Sequence, residues 1–120
     1  MKKKRDESQR ENLFDLVPQR NIKWEKKEDG LIVLLKEKFQ NPLLKKYLLS
    51  RLKNPYFRVK LDKIGSFVWE QCDGKNNIKE IADLLHDKFG EDIEPVYERI
   101  SLFFQNLENS RFIVFHRSYP

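Results

Sequence analysis

Residues 61–74 read Leu61-Asp-Lys-Ile-Gly-Ser-Phe-Val-Trp-Glu-Gln-Cys-Asp-Gly74. The stretch spells out a whole helix with its start and stop. Asp62 stands just before the first apolar position, where a short carboxylate accepts from the free amides of a first helical turn. Ile64, Phe67, Val68 and Cys72 recur at three- and four-residue spacing, so they share one face, with Trp69 beside it. Asp73-Gly74 is a turn pair that ends the helix. The pattern predicts a helix over 63–72. Gly65 lies inside it at a cost of about 0.5–1 kcal/mol relative to Ala, which close packing against the first turn would explain.

Downstream, Asn77 and Glu80 have the spacing of a capping box. They open a helix to about Phe89, with Ile78, Ile81, Ala82, Leu85 and Phe89 inside and Gly90 as its C′ residue. Pro95 falls in the first turn of the last long helix, whose stripe is Ile93, Val96, Tyr97, Ile100, Phe103, Phe104 and Leu107. Asn109-Ser110 breaks it, and Phe112 to Phe115 form a final strand.

Upstream, Phe57, Val59 and Leu61 alternate with Arg58 and Lys60, giving a short strand with one apolar and one cationic face. Asn41-Pro42 opens a helix over 41–53, Asn as cap and Pro at the first helical position. Its stripe is Leu43, Leu44, Tyr47, Leu48 and Leu52. Before it, strands at about 21–28 and 31–37 flank Asp29-Gly30, a hairpin signal that rests on both turn positions adopting φ > 0. Leu13, Phe14, Leu16 and Val17 cluster before Pro18 as either a helical turn or an extended anchor. The order predicts a small α+β domain of winged-helix type. A three-stranded antiparallel sheet packs on a three-helix bundle, and helix 41–53 is inserted between strands 2 and 3. Residues 1–11 read as a disordered basic tail and 12–120 as a single domain.

The chain has 120 residues and a formal charge of +5, with 36% charged and 39% apolar residues. That length supports one modest core, and nine Phe argue against a wholly disordered chain. The longest apolar run, Leu31 to Leu35, is far short of the roughly 20 residues of a membrane helix. A single cysteine excludes an internal disulfide and fits a reducing, cytoplasmic setting. The charge is polarised. Residues 41–63 carry seven basic groups against Asp62 alone, whereas residues 78–108 carry three basic and eight acidic groups. A helix that enters a DNA groove is normally basic, so the acidic 78–108 region argues against helix-turn-helix binding of nucleic acid.

Nothing in the sequence reads as an active site. His86 lies on a charged helix face beside Asp83 and Asp87, and His116 is near the C-terminus. Cys72 shares a face with Ile64 and Val68, as a small buried apolar group does. No phosphate-cradling glycine loop and no metal-loop spacing occurs. The expectation is a non-enzyme with no cofactor and no metal.

The run Leu61–Gly74, followed by Asn77-Ile-Lys-Glu-Ile-Ala82 and Phe89-Gly90, resembles the PqqD-like family: coenzyme PQQ synthesis protein D and related precursor-peptide recognition domains. Residues 57–115 resemble it well, and Ile22 to Lys36 resemble its N-terminal hairpin more loosely. The helix 41–53 looks like an insertion. The family's usual Gly before the final strand is replaced by Asn109-Ser110-Arg111. The resemblance implies a non-catalytic module. It captures a leader peptide as an added strand and presents it to a modifying enzyme, often of the radical SAM type. The implied peptide-binding residues are Phe57, Arg58, Val59 and Lys60 on the strand, with Tyr97, Ile100 and Phe104 on the last helix. The free main chain is expected around Val59. The implied partners are the leader peptide and the enzyme, with no membrane, and the chain is a monomer or weak dimer. The other readings are a winged-helix nucleic-acid binder and a structural adaptor or dimerisation domain.

Overall fold

The computed structural model describes residues 13–39, 41–48 and 51–117. The tail expected at 1–11 lies outside them, as do residues 49 and 50 of the expected helix 41–53. In chain order the elements are β1 (Leu16–Arg20), β2 (Lys23–Lys26), β3 (Ile32–Glu37), α1 (Pro42–Leu48), β4 (Tyr56–Lys60), α2 (Lys63–Glu70), α3 (Ile78–Phe89), a 3-10 turn (Gly90–Ile93), α4 (Val96–Asn109) and β5 (Ile113–Arg117). The class is α+β, with small antiparallel sheets. The chain divides into two compact units, residues 22–66 and residues 1–21 with 67–120.

Residues 22–66 hold the three-stranded antiparallel sheet in the order β2-β3-β4. The hairpin expected at Asp29-Gly30 is present, but its loop is longer than a two-residue turn. Lys27 N–H donates to Leu31 O at 2.8 Å and Gly30 N–H to Lys27 O at 2.9 Å. Only Gly30, at φ 87°, is left-handed. This is a three-residue loop, a turn followed by a left-handed residue. Asp29 instead accepts the Leu31 amide through Oδ1 at 2.9 Å. Ile32 and Leu34 are fully buried and Val33 nearly so. Ser66 is the buried polar residue here. Its hydroxyl accepts from Ile32 N–H at 2.9 Å and donates to Leu61 O at 3.3 Å, bridging two main-chain groups much as a bound water would.

Helix α1 starts as expected, with Asn41 Oδ1 accepting from Leu43 N–H at 2.9 Å. The described helix spans Pro42–Leu48. The apolar stripe is not covered: no residue of α1 is buried, and Leu43 and Tyr47 are 80% and 66% exposed.

In the other unit, the apolar cluster before Pro18 resolves into both alternatives. Residues 13–15 are helical, and Leu16–Arg20 form β1, paired antiparallel with β5 in a two-stranded sheet. That second sheet went unpredicted. Asn21 N–H bonds to Phe112 O, whereas Arg20 N–H bonds to Cys72 O and Gly74 N–H to Pro18 O. Even-numbered residues of β1 therefore aim their polar groups away from β5, and Pro18 removes no rung of the ladder. Asp73-Gly74 serves β1 as well as ending the helix region. Gly74 has φ 79°, and a Cβ there would stand 3.4 Å from the Gln19 side chain. Burial works to raise the Asp73 carboxyl, but the amides of Lys75, Asn76 and Asp73 itself hold it below the usual carboxylate range.

The caps follow the sequence. Asp62 Oδ1 accepts from Gly65 N–H at 2.7 Å, and Asn77 and Glu80 exchange both bonds of the capping box. The core of this unit gathers Val68, Trp69, Ile78, Ile81, Leu85, Ile93, Ile100 and Phe104, each at most 2% exposed. The Trp69 indole N–H has no hydrogen-bond partner among the described residues.

Helix α4 ends in a Schellman motif: Phe112 N–H donates to Leu107 O and Arg111 N–H to Glu108 O, both at 2.9 Å. The C′ residue is Arg111, at φ 61°. That left-handed backbone favours glycine over a residue with a Cβ. Arg111→Gly is therefore expected to stabilise the chain by about 1 kcal/mol, read as an upward shift of the urea midpoint at unchanged slope.

Candidate functional site

β4 lies at the edge of its sheet, and the register decides which of its amides are free. Lys38 N–H donates to Pro55 O at 3.0 Å and Leu61 N–H to Ile32 O at 2.9 Å. The paired positions run Leu34↔Val59 and Lys36↔Phe57 between these two bonds. In an antiparallel ladder the hydrogen-bonded pairs alternate. Phe57, Val59 and Leu61 thus turn their main-chain groups toward β3. Tyr56, Arg58 and Lys60 turn theirs outward, and among the described residues no neighbouring strand pairs with them. The free main chain was expected around Val59. It belongs instead to the residues on either side, because the Val59 amide points into the sheet.

Side chains follow the same parity. Phe57 and Val59 share a face with Ile32, Leu34 and Lys36 of β3 and with Trp24 and Lys26 of β2. Ile32 and Leu34 are sealed, but Phe57 is 55% and Val59 36% exposed. The apolar surface thus continues to the open edge. The opposite face carries Tyr56, Arg58 and Lys60 with Lys23, Glu25 and Glu37. There Arg58 pairs with Glu25 at 2.5 Å, Lys23 donates to the Tyr56 hydroxyl at 3.1 Å, and Lys45 of α1 pairs with Glu37 at 2.6 Å. The Lys27 ammonium and then the Arg58 guanidinium hold the Glu25 carboxyl below its usual range. Helix α1 leaves β4 open: residues 57–60 are all exposed.

The expected residues of the last helix separate into two kinds. Tyr97 is 47% exposed and packs edge-on against Phe14, ring centroids 5.1 Å apart. Ile100 and Phe104 are 2% and 0% exposed, core side chains of their unit. Sequence reasoning missed Tyr56 as an outward-facing member of the strand. Its parity with Arg58 and Lys60 was the available signal.

Cys72 is buried, with its Sγ–H directed at Val68 O, 3.3 Å away. Burial pushes the thiol up to about 12, so it is no nucleophile at neutral pH. Native protein at pH 8.5 is expected to resist thiol reagents that react at once in urea. The folded-state pKa lies above the 9.0 of a free thiol. The stabilisation from the buried neutral thiol is therefore complete below about pH 9 and is lost as pH rises from there toward 12. His86 Nδ1 stands 2.7 Å from Glu94 Oε2 on the surface. Among the described residues no group of three or more His, Cys, Asp or Glu is placed to hold a metal ion, and no helix is long and apolar enough to cross a membrane.

These features define an α+β protein with an open, apolar-faced sheet edge. One family model, that of coenzyme PQQ synthesis protein D (PqqD), matches residues 53–113. The match spans just over half of the chain, from β4 into β5, and the chain belongs to the PqqD family. The hairpin β2–β3 and helix α1 lie before the matched segment. No curated protein and no solved structure matches the chain.

Proposed function

We propose that the chain is a non-catalytic accessory protein of peptide-modifying biosynthesis, of the coenzyme PQQ kind or a related one. It takes up a precursor's leader segment as a strand added to β4 and presents it to a modifying enzyme. The observation that carries this reading is the outward row of amides and carbonyls at Tyr56, Arg58 and Lys60 beside the exposed side chains of Phe57 and Val59. Strand addition satisfies such an edge without demanding a particular sequence, and the neighbouring apolar surface sets the register. Each main-chain bond contributes about 0.5–1.5 kcal/mol net, and ordering the peptide offsets part of the total. Affinity in the micromolar range follows. We read the succession α2, α3, α4, β5 as winged-helix-like, and the protein as a cytoplasmic monomer or weak dimer.

The test is a titration of fluorescein-labelled leader segments from the short peptides encoded beside this gene, followed by anisotropy. A Kd below about 100 μM is expected for one of them. Failure of every candidate to bind at that level overturns the proposal. A stable dimer by light scattering, with no peptide binding, would assign the edge to self-pairing instead.

A further inference from the structure

The two faces of β4 make different chemical demands on a guest strand, and resting on the strand-capture reading we infer that the guest alternates apolar and acidic residues. A strand laid on the open edge places successive side chains on opposite faces of the sheet. Guest residues opposite Phe57 and Val59 fall on the face where those side chains are 55% and 36% exposed; behind Val59 stands the fully buried Leu34, and behind Phe57 stands Lys36, with the Lys38 ammonium over the Phe57 ring. Apolar side chains there extend an existing core. Guest residues opposite Tyr56, Arg58 and Lys60 fall on the other face.

That other face is short of carboxylate. It carries Lys23 and Glu25 from β2, Glu37 from β3, and Arg58 and Lys60 from β4. Both carboxylates are already engaged, Glu25 by Arg58 and Lys27 and Glu37 by Lys45. Lys60 forms no ion pair with a described residue and sits at the outer edge, opposite Val33. A guest carboxylate beside Lys60 meets an uncompensated cation, whereas a guest lysine there meets repulsion. Lys60 is thus the specificity-determining side chain. The recognised feature is the phase of acid against apolar residue, not acidity as such.

Three soluble peptides of equal length, each flanked by Gly-Ser and labelled with fluorescein, test this. The first alternates isoleucine and glutamate. The second has the same composition sorted into two blocks, and the third alternates isoleucine and lysine. The alternating acidic peptide is expected to bind about tenfold more tightly than either of the others at low salt. Lys60→Glu is expected to shift the ranking toward the lysine peptide by about tenfold. Equal affinity for the alternating and block peptides overturns the inference, as does a ranking unmoved by Lys60→Glu. Absence of binding by all three overturns it too. The leader titration then separates the two readings: leader binding abolished by Arg58→Pro leaves strand capture standing, and no leader binding removes it as well.

Discussion

Arg58→Pro is expected to abolish leader binding, raising Kd by at least about 100-fold, while the protein still unfolds cooperatively near the wild-type midpoint. The Arg58 amide points away from β3. Proline is tolerated on an edge strand where the missing N–H faces solvent. The native sheet therefore loses only the ion pair to Glu25, a solvent-screened surface contact that contributes little. An incoming strand, in contrast, loses a central donor and meets the pyrrolidine ring. Arg58→Ala keeps the amide and should weaken binding only a few-fold, which separates the main chain from the charge. Val59→Pro reverses the pattern. Its amide lies inside the β3–β4 ladder, so proline there should destabilise the fold by about 2–3 kcal/mol. Circular dichroism in urea alongside peptide anisotropy distinguishes the two. If Arg58→Pro binds normally, the open edge of β4 is not the docking element.

The second large effect concerns Trp69. Its side chain is 0% exposed and its indole N–H is unpaired among the described residues. Truncation to alanine removes the largest side chain of the core and should cost about 3–5 kcal/mol. Trp69→Phe should cost less than about 1 kcal/mol. The smaller ring leaves a cavity worth about 1 kcal/mol, but it also removes a buried donor whose desolvation costs about 1–3 kcal/mol. Equilibrium urea unfolding of both variants checks this. A phenylalanine variant as unstable as the alanine one would mean that the indole nitrogen is satisfied in solution.

The elements that the sequence announces are those whose signals are local. Asp62, the Asn77–Glu80 pair and Asn41 each act within one turn, and each caps the helix expected of it. The alternation from Phe57 to Leu61 likewise places a strand. Three features needed more than local pattern. β1 pairs with residues nearly the whole chain away, and a five-residue strand containing Pro18 has no periodicity to announce it. The outward amides of β4 depend on which edge β3 takes up, and side-chain alternation alone does not reveal that. In the stripe of α4 the pattern names the apolar side chains without ranking them, so the buried Ile100 and Phe104 look like the exposed Tyr97. The stripe of α1 is the opposite case. Its helical spacing implies a covered face, yet Leu43 and Tyr47 stand open.

The pairing of β1 with β5 also sets an order of assembly. Val17 meets His116 across nearly the entire length of the polypeptide, whereas the β2–β3 hairpin closes through a loop of a few residues. Bringing together ends so far apart costs about 3 kcal/mol more in chain entropy than closing the hairpin. A nascent chain on the ribosome presents β2 and β3 long before β5, so β1 must wait while the hairpin is free to zip. Pulse-labelling hydrogen exchange during refolding should find the β3 amides protected before those of β1.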